Sequence, residues 1–133
     1  VVTVSASSKK ARRGHAAYQR GKRSEFLCRL FLRLKGYRIL ASRYKTHQGE
    51  IDIIALRGKT VAFIEVKARA NVHQAAGAVS PQQQARLART AALFHAHHRG
   101  YSKYTMRFDV MLVAPLRWPR HIENAFQAHV RLG

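Results

Sequence analysis

From Ser24 the apolar residues fall at helical spacing: Leu27, Leu30, Phe31 and Leu34 stand at i, i+3, i+4 and i+7, and Gly36 supplies a stop. Phe26, Cys28 and Leu32 widen the apolar arc, which predicts a helix packed on more than one side. The period then shortens. Tyr37 to Tyr44 reads as a first strand centred on Ile39 and Leu40, and Glu50 to Leu56 is β-branched and apolar. Arg57-Gly58-Lys59 turns the chain into a third strand, Thr60 to Lys67, and so short a turn makes the last two an antiparallel hairpin. Asn71 to Val79 reads as a loop of small residues. Ser80-Pro81-Gln82-Gln83 then opens a second helix, with Ser at the N-cap, Pro at the first helical position and Gln83 completing a capping box. Leu87, Ala91 and Phe94 mark its buried face, and it should end near Gly100. A fourth strand runs from about Thr105 to Ala114, with a short last strand near Ala125.

Helix, three strands, helix and strand make an α/β sandwich around a mixed sheet, because the link from the third strand through the second helix is long enough to run parallel. No repeat divides the chain. One domain is expected over residues 18–133, preceded by a flexible basic arm over 1–17 that carries Lys9, Lys10, Arg12 and Arg13.

Composition narrows the class. Of 133 residues, 25 are Lys or Arg and 6 are Asp or Glu, a formal charge of 25 − 6 = +19, while 47% are hydrophobic. A core can form, so disorder is excluded for most of the chain. The single Cys28 cannot close an intrachain disulfide, and no Cys-x-x-Cys offers a thiolate metal site, which fits a reducing cytoplasm. No apolar run is long enough to cross a bilayer, and Val1-Val2-Thr3-Val4 is too short for a signal core. Excess charge of this size repels itself unless an anionic partner sits against it, and nucleic acid is the first expectation. A membrane surface is disfavoured, because both helices need their apolar faces for the core.

The six acids, Glu25, Glu50, Asp52, Glu65, Asp109 and Glu123, are scarce enough that each needs a reason. Alternation puts Glu65 and Lys67 on one face of their strand and Glu50 and Asp52 on one face of the neighbour. Pairing can then bring Asp52 and Glu65 together, with Lys67 one step along and the Val66 carbonyl close by. Two carboxylates, a carbonyl and waters suit Mg²⁺ or Mn²⁺, and such an ion beside an ammonium suits phosphodiester hydrolysis. The residues alone leave another reading open: Glu65 and Lys67 as a same-face ion pair, and Asp52 as a turn cap.

Gly49-Glu50-Ile51-Asp52-Ile53-Ile54-Ala55 followed by Phe63-Ile64-Glu65-Val66-Lys67-Ala68-Arg69 resembles the YraN-like family of bacterial proteins. That family is similar to archaeal Holliday-junction resolvases in the PD-(D/E)XK nuclease superfamily. The resemblance spans about residues 18–128 and includes Arg23-Ser24-Glu25, Lys35 to Leu40, Val79-Ser80-Pro81, Gln84 with Arg86-Leu87, Arg107 to Val110 and His121 to Phe126. It implies a restriction-endonuclease-like αβββαβ core and a metal-dependent endonuclease acting on DNA rather than RNA, on branched or damaged structures. It also implies metal carboxylates at Asp52 and Glu65, a catalytic Lys67 and a helix-borne acid at Glu25, with Mg²⁺ or Mn²⁺ as cofactor. Read from spacing alone, Glu25 also suits a surface pair with Arg29 at i, i+4. Glu50 would orient a water or the substrate, or be solvated at the strand edge. Ile51 replaces the usual Pro, and Gln83 stands where the family generally carries Lys. A homodimer is compatible with the resemblance, although the sequence offers no uncommitted apolar patch. The alternative to an enzyme is a non-catalytic nucleic-acid-binding protein on the same fold; an RNA-associated structural protein is a third reading.

Arg69, Gln84, Arg86 and Arg89 are the expected nucleic-acid contacts, against a solvated helix face for the two helical arginines. His95, His97 and His98 make a poor zinc site, since only His95 and His98 face alike and no carboxylate is near. Tyr44 and His47 could meet a base or finish the core. Cys28 should be a packed small hydrophobe, Asp109 should hold a buried partner such as Arg107, and Trp118 should anchor a loop.

Overall fold

Five strands lie in one sheet in the order in which the chain makes them, because each connection but one is a hairpin or short loop. The structure is a computed structural model that describes residues 22–68 and 77–128. The expected arm over 1–17 and Arg69 lie outside the described residues. A first helix, α1, covers residues 22–34. It is followed by β1 (Arg38–Thr46), β2 (Gly49–Arg57), β3 (Thr60–Ala68), α2 (Pro81–His97), a 3₁₀ turn (Arg99–Tyr101), β4 (Thr105–Val113) and β5 (Arg120–Phe126). Pairing is antiparallel throughout except between β3 and β4, which α2 joins as a crossover. The αβββαβ order and mixed sheet expected from the pattern are observed, and the tail adds β5 as a full edge strand.

Each face of the sheet has its own core. Ile54, Val61, Phe63, Phe108, Val110 and Leu112 pack beneath Leu87, Ala91 and Phe94 of α2. Ile53, Ala55, Ala62, Ile64 and Met111 pack against Cys28 and Leu32 of α1 and against Tyr37. The Ser80 capping box is present, its hydroxyl accepting from the Gln83 N–H while the Gln83 side chain accepts from the Ser80 N–H. Gly49 lets β2 begin close under α2: its φ is 150°, and a Cβ there would stand 3.1 Å from the Thr90 hydroxyl.

One expectation is corrected. The face that α1 buries centres on Cys28 and Leu32, both 0% exposed, with Phe31 partly buried beside them, rather than on the stripe of Leu27, Leu30, Phe31 and Leu34 as a whole. Phe26 is 58% and Leu34 70% exposed, so among the described residues α1 is packed on one side. The sheet beneath it offers small residues, Ala55 and Ala62, and these admit the slim Cys28/Leu32 flank. Trp118 is exposed and meets Phe31, ring centroids 6.1 Å apart.

β5 is tied down by a fully buried acid. Arg107 donates to both Asp109 oxygens, from Nε and Nη2, each at 2.8 Å, and the Asn124 N–H adds a third bond at 2.9 Å. Asn124 reaches this position with φ 53°, a left-handed backbone that asparagine tolerates, where the β4–β5 register shifts. His121 stands between Asp109 Oδ2 at 2.7 Å and the Lys35 ammonium at 2.8 Å. The ammonium can only donate, so Nδ1 accepts and Nε2–H donates to Asp109. Burial pushes the Asp109 pKa up, but His121, Arg107 and the Asn124 N–H outweigh it and hold the carboxyl below the usual range.

Asp109→Asn should therefore cost about 3 kcal/mol at pH 7, read by urea unfolding. Because this carboxyl titrates lower when folded than when unfolded, its contribution is present above about pH 4. It is lost as pH falls through the folded value, so the gap between the two proteins should close in acid.

Candidate active site

The β2–β3 ladder stops at the pair Ile53 and Ile64. Beyond it, the Val66 N–H donates to Asp52 Oδ2 at 2.8 Å, so a side-chain carboxylate takes the place of a ladder carbonyl. Ile51 belongs to the core under α2 while Ile53 belongs to the core under α1. Residues two apart on an even strand share a face, so β2 changes face at Asp52. Across from it on β1, between the pairs Ser42 with Ile53 and Tyr44 with Ile51, sits Arg43 at φ 52°. A left-handed backbone at arginine costs about 1 kcal/mol. It accompanies a 2.8 Å bond from Arg43 Nε to Glu25 Oε2 on α1.

These acids stand close enough to disfavour one another's charge. Burial raises the Glu65 pKa from 4.5 to about 7, helped by the Asp52 charge and a hydrogen bond shared with Asp52. Lys67, with Nζ 3.4 Å from Glu65 Oε1, pulls the other way. Asp52 is also raised, first by burial and then by the charges of Glu25 and Glu50, against the Val66 N–H and Lys67. Two carboxyls that share a hydrogen bond must share a proton. Burial pushes the Cys28 thiol up to about 12, with Asp52 and Glu25 adding to it and Arg29 opposing, so Cys28 stays a protonated, packed side chain.

Asp52, Glu65 and Lys67 are thus brought together, with Val66 bound to the first of them. Glu25 lies beside them, 14% exposed, and bonds Arg43 on β1 instead of Arg29 on its own helix. Glu50 is exposed at the start of β2, opposite Lys45. On α2, Gln84 donates to the Val79 carbonyl at 3.1 Å, and Arg86 and Arg89 are exposed. Arg89 Nε bonds Gln48 Oε1 at 3.1 Å, which sets α2 over the β1–β2 turn, at the same end of β2 as Asp52. Gln83 uses its side chain in the helix cap. Tyr44 finishes the core, its ring 5.4 Å from Phe94. His95 donates to the Ser102 carbonyl and His98 to that of Phe94. Pattern reading missed Arg43, since nothing in the composition of β1 marks a left-handed residue; only the β1–β2 register puts it opposite Asp52.

Among the described residues no three His, Cys, Asp or Glu side chains form a metal cage. An ion at this place would have two carboxylates, backbone oxygen and water, which is the donor set of Mg²⁺ or Mn²⁺ and not of zinc. Two mutually repelling, buried carboxyls fit such a cation, because a divalent charge replaces the proton they share. The profile of Uncharacterised protein family UPF0102 matches residues 24–113, a span that contains Asp52, Glu65 and Lys67. The chain belongs to the UPF0102 family. The UPF0102 protein of Parvibaculum lavamentivorans is 48% identical over 114 residues, 86% of this chain and 86% of its own length. That of Rhodopseudomonas palustris strain BisB5 is 50% identical over 113 residues, 85% of this chain and 86% of its own. Within the UPF0102 match lie α2 and β1 to β4, whereas β5, with His121 and Glu123, follows it.

The raised Glu65 pKa makes a signed prediction. Its ionised form is disfavoured in the folded protein, so stability falls as pH rises from 4.5 towards 7. Glu65→Gln should be more stable than the parent by about 2 kcal/mol at pH 8 without metal, and equal to it below pH 4.5. Thermal unfolding with and without MgCl₂ checks this: the parent should gain from Mg²⁺ and the variant should not.

Proposed function

We propose that this protein is a metal-dependent nuclease that hydrolyses phosphodiester bonds in DNA. The observation that carries the reading is the pairing of Asp52 with Glu65 at the splayed end of β2 and β3, each carboxyl raised, with Lys67 against Glu65. Asp52 and Glu65 would hold Mg²⁺ or Mn²⁺, which when bound lowers the pKa of a water and polarises a phosphodiester. The Val66 N–H fixes one oxygen of Asp52 and so orients the other. Lys67 supplies an ammonium to stabilise charge developing on the phosphoryl oxygens. The +19 charge supports a polyanionic substrate whose affinity rests on backbone phosphates, with selection by DNA shape, branched structures included. No helix among the described residues is long and apolar enough to cross a membrane, and the one cysteine is buried and unpaired. A single buried cysteine suits a reducing compartment, and we propose the cytoplasm as the place of the activity.

The test is cleavage of labelled single-stranded, duplex, flap and four-way DNA in Mg²⁺ or Mn²⁺. Asp52→Ala, Glu65→Ala and Lys67→Ala should each lower the rate at least about 100-fold while DNA binding persists. Absence of metal-dependent cleavage by the parent on every substrate would leave a non-catalytic binding protein and overturn the reading.

A further inference from the structure

The side of α1 turned away from the sheet also carries large apolar side chains. Phe26, Leu30 and Leu34 stand at i, i+4 and i+8, one above another along the helix, and all three are exposed. Trp118, 59% exposed, meets the flank of this ridge through Phe31. Leu116, two residues earlier in the β4–β5 loop, is fully exposed, in a left-handed backbone (φ 59°) that leucine seldom adopts. Single scattered apolar residues on a surface need no explanation, but five on two neighbouring elements do. The sequence pattern assigns the whole apolar arc of α1 to the core, and on that ground it disfavours a membrane surface. The structure removes the ground: α1 gives the core Cys28 and Leu32, with Phe31 beside them.

The rim of this face has one sign. Arg23 and Arg33 lie three residues from Phe26 and Leu30 along the same side of α1, and Arg117 and Arg120 flank Trp118; all four are exposed. All six acids belong to the described residues, and among these none of the four arginines is in an ion pair. An apolar ridge with a cationic rim complements an anionic, amphipathic surface. Charge disfavours a second copy, because two such faces brought together would set arginine against arginine. Shape disfavours a partner's helix, which needs a groove to lie in, whereas the ridge and the loop tip protrude. Nucleic acid has no use for the leucines, which cannot stack on a base. A bilayer with acidic headgroups answers to every part: Phe and Leu enter the acyl boundary, the indole sits at headgroup depth and the arginines meet phosphate.

We propose that this is a membrane-docking face: the apolar ridge of α1 and the Leu116–Trp118 loop tip enter the interface of an anionic bilayer, and the flanking arginines hold its headgroups. The protein then lies on the membrane without spanning it. This does not rest on the nuclease reading, since neither metal nor DNA takes part.

Trp118 is the one tryptophan of the chain, so its emission reports on this face alone. The full chain is mixed, without metal or DNA, with vesicles of phosphatidylcholine alone or with one part in four phosphatidylglycerol, and co-sedimentation and emission are read across a KCl series. The parent should sediment with the anionic vesicles, its emission moving to shorter wavelength, and bind the neutral ones at least about tenfold more weakly. Leu30→Ala/Leu34→Ala should lower the partition coefficient at least about tenfold at every salt concentration. Arg33→Ala/Arg117→Ala should lower it about tenfold on anionic vesicles and flatten its salt dependence. Arg99→Ala/Lys103→Ala removes the same charge from exposed positions after α2, on the other face of the sheet, and should change it less than about threefold. Circular dichroism melting checks that each variant is folded, and Phe26→Ala replaces the leucine pair if that pair is not.

Sedimentation with the Trp118 emission unmoved, or equal losses in the two charge variants, would mean adsorption through net charge alone and overturn the proposal. No binding of the parent to anionic vesicles would overturn it as well. So would a Trp118 emission already shifted in vesicle-free protein at concentrations where sedimentation equilibrium shows a dimer, which would give the face to a second copy.

Discussion

The molecule turns on one unfavourable contact: two carboxyls, Asp52 and Glu65, pressed together and shielded from water where two strands part. Burial and mutual repulsion both work against their charge, and Lys67 with the Val66 N–H only partly offset them. Natural folds keep such an arrangement where it serves a purpose, and the donor set left open is that of a hard divalent cation. The rest of the local geometry follows from holding it. β2 changes face at Asp52, Arg43 takes a left-handed backbone opposite, and Glu25 reaches across from α1 to bond that arginine.

The contrast with Asp109 shows how partners, not residue type, set the outcome. Asp109 is more deeply buried than either site acid, yet its carboxyl is held low because a guanidinium, an imidazole and a backbone N–H all point at it. Glu123 is likewise held low: burial works against it, and Arg107, His121, Lys35 and Arg57 together prevail. Of the six acids, Asp109 and Glu123 therefore belong to the scaffold that fastens β5 and the end of α1. The other four gather around the start of β2, and there burial outweighs the partners of Asp52 and Glu65. Glu25 is paired with Arg43 and Glu65 with Lys67, yet burial still raises Asp52 and Glu65.

Most of the architecture was readable from the pattern because its signals are local. The capping box at Ser80, the two-residue turn at Gly58 and Lys59 and the β-branched runs each specify their element without help from the rest of the chain. The convergence of Asp52 and Glu65 was readable too, since it needs only alternation and a hairpin. What escaped the pattern depends on more than one element. The inward face of α1 was misjudged because four apolar residues at regular spacing outvoted Cys28 and Leu32, and only the small Ala55 and Ala62 of the facing strands decide between them. The left-handed Arg43 and its bond to Glu25 arise from the β1–β2 register and the docking of α1, which no single stretch encodes.

The most direct test of the central claim is a crystal soaked in MnCl₂, with the anomalous difference map read at the manganese edge. The account predicts one strong peak between Asp52 and Glu65, about 2.1 Å from an oxygen of each, with the remaining ligands backbone oxygen or water. A map with no peak at that position, or with the two carboxyls turned apart around an ion bound elsewhere, would contradict it.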